Sequence, residues 1–187
     1  MNHSHGERTA ESSRPAILLA ARRAFALHPY ADVTIRSIAA DAGVSAALVI
    51  KHFGTKEQLL RASADFTKAV ELLLDAPLDR LGEHMVRTLI SLRERNGADP
   101  LLRVVFSTSA QDERAVVREY FTTQVTEAMA DRLTGPDARL RAELVIAHLL
   151  GLGATLNIHY RATGRTPDTE RIVALYAPGI QQLITGP

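Results

Sequence analysis

Five neighbouring residues carry the first sign of chemistry: Ser45, Ala46, Ala47, Lys51 and His52. They fall on the outer side of a short helix, because Val49 and Phe53, four residues apart, take its inner side. An outer face this short, small and polar fits a DNA major groove about 12 Å wide. The preceding helix is marked by Ile35, Ile38, Ala39 and Ala42 at helical spacing, with Thr34 as its N-cap. Gly43 supplies the tight turn between the two, a backbone conformation most residues resist. Ile38, Ala39, Val44, Val49 and Phe53 are expected to bury between the helices. The same corner also occurs in ordinary helical proteins, so its shape alone leaves both uses open.

A second group of polar side chains sits on otherwise apolar helices in the C-terminal half. His84, Thr88 and Ser91 recur at i, i+4 and i+7, followed by Arg103, Gln124, His148, Thr155 and His159. Of these, His84, Thr88, Arg103, Gln124, His148 and Thr155, with the aromatic Phe106, are candidates to line a pocket for an apolar or amphipathic small molecule. Residues of these types more often serve as a solvated flank, a helix cap or a dimer contact. The chain has no Cys, which excludes disulfides, a thiol nucleophile and a cysteine zinc site. No nucleophile elbow, phosphate loop, paired carboxylates or H-x-x-x-H spacing appears, so no enzyme, metal or cofactor is expected.

The elements that must position these groups are all helical. With 187 residues, 46% of them hydrophobic, the chain is globular, and no run alternates at period two. A first helix is expected from Ser12 or Ser13 to His28-Pro29, with Pro15 in its opening turn. After the two short helices, Thr55 caps one long helix over 55–75, with Leu59, Ala62, Phe66, Val70 and Leu73 along one stripe. Pro77 opens the next, closed by Asn96-Gly97; a short one covers 100–106, and another runs over 112–133. A long helix then ends near Ala162, and Thr166-Pro167-Asp168 starts the last, kinked at Pro178. That makes about nine helices. No apolar run approaches the roughly 20 residues a membrane span needs, and residues 1–13 lack the apolar core of a secretory leader. A cytoplasmic chain without a membrane partner is expected.

Net charge is +1. Residues 1–60 hold seven basic side chains against five acidic ones, a mild local excess compatible with a DNA-binding unit. Three motifs, A-A-R-R-A-F at 20–25, T-I-R-S-I-A-A-D-A-G-V-S at 34–45 and H-F-G-T-K-E-Q-L-L at 52–60, together resemble the DNA-binding domain of the TetR family over residues 16–62. The resemblance implies an all-α fold: a flexible tail over 1–12, a three-helix helix-turn-helix domain over 13–57 and a helical effector-binding and dimerisation domain over 58–187.

Carried over residue by residue, it implies that Thr34, Arg36 and Lys56 meet backbone phosphates. It implies that Ser45, Ala46, Ala47 and Lys51, with His52 beside them, approach bases or phosphates of a double-stranded operator. Ala46 and Ala47 can touch only thymine methyls. Ile50 stands where the family usually has a phosphate-bonding tyrosine; its expected role is packing. The resemblance further implies a homodimer through the last two helices, where Gly151, Gly153 and Ala154 permit close approach. It implies an unidentified small-molecule effector that releases a repressor, with the 55–75 helix as lever. A regulator with no effector is the alternative.

Overall fold

The structure, a computed structural model, describes residues 4–96, 115–161 and 163–186, with the backbone alone described at 4–12, 26, 27, 95, 96, 116 and 161. Among the described residues every regular element is helical. The chain divides into two units, the first ending at Asp65 and also taking in 115–117, the second beginning at Phe66. The expected helix over 100–106, with the ligand candidates Arg103 and Phe106, lies outside the described residues.

The first unit contains α1 (Ser4–Leu27), α2 (Ile35–Asp41), α3 (Ala46–Phe53) and α4 (Lys56–Ser63). α1 starts well before Ser12: the Glu7–Glu11 stretch is made largely of good helix formers. Pro15 therefore lies inside the helix rather than in its first turn. Short side chains fix the other helix starts. The Thr34 hydroxyl accepts from Ser37 N at 3.0 Å, and Ser37 Oγ accepts in return from Thr34 N at 3.1 Å. Thr55 and Gln58 make the same reciprocal pair at α4, and Ser45 accepts from Leu48 N at α3. Gly43, at φ +67°, lets Val44 N–H turn back onto the Ala39 carbonyl at 2.9 Å. The core gathers Ile17, Ala20, Ala21, Ile38, Ala39, Val49, Phe53 and Leu59, all buried.

The long helix expected over 55–75 is two helices, α4 and α5 (Thr67–Leu74). The Ser63 hydroxyl donates back to the Leu60 carbonyl at 2.8 Å, and Ala64 N–H closes α4 on Leu60 and Arg61. Phe66 N–H then goes to Gln124 Oε1 at 2.7 Å instead of continuing the ladder. The apolar stripe survives the break: Leu59, Phe66, Val70 and Leu73 are all buried.

In the second unit, α5 is followed by α6 (Leu81–Asn96), reached through a tight turn at Leu78–Arg80. Next comes α7, which runs from Ala115–Phe121, its residues 115–117 counted with the first unit, through wide π-type turns at Thr122–Glu127 into Ala128–Ala130. α8 (Ala138–Leu156) also widens, at Asn157–Arg161, and α9 (Thr169–Thr185) continues past Pro178. α6 packs along α9, and Gly82 lies directly against it. A Cβ there would lie 2.9 Å from Gln181 N and 3.0 Å from the Ala177 carbonyl. The Gln181 side chain fastens this crossing, accepting from Gly82 N–H at 2.9 Å and donating to the Leu78 carbonyl at 2.8 Å.

Arginines finish the helix ends here. Arg132 donates to the carbonyls of Leu74 and Ala76 beyond α5, and Arg93 to that of Leu156 at the end of α8. Arg141, buried on α8, donates to Leu183 and Ile184 near the end of α9 and to Pro136 and Thr134 before its own helix. The 138–160 helix has the length and hydropathy of a membrane span. It escapes the sequence expectation because Arg139, Arg141 and Glu143 interrupt its apolar run. In this fold it buries Ala142, Val145, Ile146, Leu149 and Leu152 in the second unit's core.

Candidate functional site

The cations of the first unit separate into engaged and available ones. Arg22 donates to the Ser63 carbonyl at 3.3 Å, and burial pulls its pKa below the usual guanidinium range. Arg23 pairs with Asp41 at 2.8 Å. Lys56, expected at a phosphate, is turned inward. Its ammonium donates to the carbonyls of Tyr30 at 2.9 Å and Val33 at 3.0 Å, and lies 3.9 Å from the Tyr30 ring centre. Tyr30 in turn donates to Glu57 Oε1 at 2.7 Å. That bond, with Glu57's own backbone N–H and the Thr55 hydroxyl, holds the Glu57 carboxyl down at about 2. Lys56 thus fixes the turn that leads into α2. Arg36 and Lys51 are exposed, and neither has an ion-pair partner among the described residues.

Around α3 the expected outer face is partly redrawn. Ser45, Ala47 and Lys51 are exposed as expected, whereas Ala46 is half-buried against the core. His52 is also half-buried, its ring 6.0 Å from that of Phe53 and its Nε2 inside without a hydrogen-bond partner. Both follow from the 100° step of the helix: Ala46 precedes Val49 by three residues and His52 neighbours Phe53, so each sits on the flank of the buried side. Ile50, expected to pack, is 55% exposed. It lies between the flank held by Ala46 and the outer side held by Ala47 and Lys51, and stays open to solvent there. Thr34 is exposed but its hydroxyl is engaged in the α2 cap.

The ligand candidates are not brought together. His84 Nε2 bonds the Leu72 carbonyl at 2.7 Å and Thr88 Oγ1 at 3.3 Å, tying α5 to α6. Gln124 is the partner of Phe66 N–H. His148 bonds the Leu144 carbonyl through Nδ1, while its own carbonyl accepts from the Tyr176 hydroxyl; burial raises the Tyr176 pKa. Thr155 is exposed. The second unit instead has a small seam of about 20 Å³. Val70, Leu73, Leu74, Met85, Val125, Met129, Ile146 and Leu149 line it. Every lining residue is apolar, so a search for polar groups on apolar helices could not find it. The usable signal was the apolar stripes themselves.

The profile of bacterial regulatory proteins of the tetR family matches residues 17–63, and that of the tetracyclin repressor-like C-terminal domain matches 79–184. The chain belongs to the TetR family. Its helix-turn-helix and helical C-terminal unit are thus the two parts of a TetR-family regulator. An HTH-type transcriptional repressor from Mycobacterium tuberculosis is 40% identical over 90 residues, covering 43% of this chain and 48% of that protein. A regulator from Mycobacterium bovis matches to the same extent. The chain spans about half the length of the curated relatives it matches. A TetR-family regulator from Streptomyces coelicolor superposes over 93% of this chain and 95% of its own, with TM-score 0.59 and 28% identity. A fatty acid degradation regulator from Bacillus halodurans shares the fold, at TM-score 0.62 and 17% identity over 93% of this chain and 95% of that one.

Proposed function

We propose that this TetR-family protein is a homodimeric DNA-binding repressor released by an apolar small molecule. The observation that carries the DNA-binding part is the exposure of Arg36 and Lys51, free of ion pairs among the described residues, on a helix-turn-helix where Arg22, Arg23 and Lys56 are engaged. Two basic side chains beside a slim helix supply phosphate attraction and groove access together. Thr34, Ser45, Ala47 and Lys51 keep their roles in this proposal, and Lys56 supports the site from within. The test is an electrophoretic shift on a duplex selected from a randomised pool. Arg36→Ala and Lys51→Ala should each weaken binding by about 5- to 150-fold. A phosphate contact reduces the salt slope, whereas a base contact relaxes specificity. Unchanged affinity in both variants overturns the assignment.

Dimerisation is supported by the apolar surface of the last two helices. Leu140 and Leu144 are 52% and 41% exposed on α8, Ile158 is 62% exposed just beyond it, and Leu175 is 73% exposed on α9. Gly151, also exposed, shares a side with Leu140 and Leu144 and leaves room for a facing helix. Light scattering should give a dimer for the full chain and a smaller species for Leu175→Asp.

For the effector, the lining of the seam favours an alkyl chain. The space holds about one water, whereas ligand pockets span roughly 300–1,000 Å³, so entry must spread α5 from α7. Val125 and Met129 line the seam, and Gln124 beside them holds Phe66 N–H, where the second unit begins. An alkyl ligand that displaces this stretch would release Phe66 and shift the population toward a state that binds DNA poorly. Medium-chain fatty acids and alcohols should lower operator affinity in the wild type and much less in Gln124→Ala. The small size of the seam also favours a second reading, a regulator with no effector. Operator affinity that stays constant across the apolar panel selects it.

A further inference from the structure

We propose that Ile50, together with Ala47, reads the C5-methyl group of a thymine in the major groove, so that each operator half-site carries a thymine opposite this pair. The inference rests on the DNA-binding reading above and adds a base to it. Ile50 is 55% exposed in the middle of α3, while Val49 and Phe53 on the same helix are buried. Ala47, three residues earlier and also exposed, lies beside it on the helix surface. Lys51 follows on the same arc.

Neither an alanine nor an isoleucine side chain can donate or accept a hydrogen bond, so the pair cannot sense the polar edges of bases. The thymine methyl is the apolar feature that the major groove offers, and an apolar side chain discriminates it by contact alone. The flanking charge selects the occupant. Lys51, on the same arc as this apolar pair, would face its own copy across a two-fold contact between identical chains and repel. A polyanion with methyl groups in its groove satisfies both the cation and the apolar pair.

The test begins with the duplex that the full-length wild type selects from a randomised pool. Each thymine is then replaced singly by deoxyuridine, which removes the methyl group and leaves the base pairing intact. One position per half-site should lose affinity by about 3- to 5-fold, the effect expected for one methyl group withdrawn from contact. Ile50→Ala should lose a similar factor on the thymine duplex and nothing further on the deoxyuridine duplex, while Ile50→Val retains most of the thymine preference. Because Ile50 is exposed, circular dichroism should show all three proteins equally folded.

If no thymine is sensitive, or if the losses from deoxyuridine and Ile50→Ala multiply, methyl reading is overturned and DNA binding stands. If the wild type enriches no duplex at all, both readings fall. If Ile50→Ala leaves DNA affinity intact but weakens self-association, Ile50 belongs to a contact between copies and the proposal is wrong.

Discussion

The two units lean on different means to satisfy the groups at their helix ends, although Arg22 reaches the Ser63 carbonyl in the first and Asp168 caps α9 locally in the second. In the first, Thr34, Ser45 and Thr55 cap the helix that follows them, each using a hydroxyl three residues from its partner. In the second, Arg93, Arg132 and Arg141 reach carbonyls as far as 63 positions away in sequence. The local solution leaves the outer surface of α3 free for another molecule. The long-range solution locks helices to one another and leaves little interior space. A regulator needs one part that presents chemistry and one part whose packing can be perturbed, and the two capping styles fall along that division.

The contrast can be broken most sharply in the second unit. Gly82→Ala places a methyl group against the Gln181 and Ala177 backbone, neither of which can rotate away. Urea unfolding should show a loss of about 1–3 kcal/mol. Arg141→Met should cost a comparable amount, about 1–3 kcal/mol, because it strips donors from carbonyls at both ends of its reach. If either substitution proves neutral, the long-range fastening is not what stabilises this unit.

In the first unit the effects should be smaller and local. Thr34→Ala removes the α2 cap at a cost of about 1 kcal/mol. Hydrogen exchange should rise over 35–41 while α6 and α9 stay protected; protection lost equally in both units would erase the distinction.

The smallest effect belongs to Glu57. Folding holds its carboxyl at about 2 against an ordinary 4.5, so its contribution is present above pH 4.5 and is lost as pH falls toward 2. Glu57→Gln should lower stability slightly at neutral pH, where the contribution is present, and flatten the stability curve between pH 4.5 and 2. A variant with the wild-type acid limb would show that the Tyr30 bond does not survive in solution.

The same contrast explains what was legible in the sequence. Caps, the Gly43 turn and the buried pair Val49 and Phe53 are rules of short range, so the helix-turn-helix could be read almost in full. Lys56 was misplaced because its partners, the Tyr30 and Val33 carbonyls, are brought to it by the turn before α2, which no motif announces. Ile50 is hydrophobic yet exposed, because it sits at the edge of the buried face of α3, where nothing covers it among the described residues. In the second unit the apolar stripes were visible, but what they enclose depends on which helices meet. Of the polar residues singled out there, His84, Gln124 and His148 bond backbone groups and Thr88 bonds His84, and the break after Ser63 depends on a glutamine far along the chain.

The inward turn of Lys56 has a consequence for covalent chemistry. An amine held between two carbonyls and an aromatic ring is poorly placed to attack an acylating reagent, whereas that of Lys51 stands open. Amine-directed labelling of the free protein should therefore modify Lys51 early and Lys56 late. Adding operator should then silence only the first, giving a footprint in which one lysine reports on DNA and the other on the integrity of the fold.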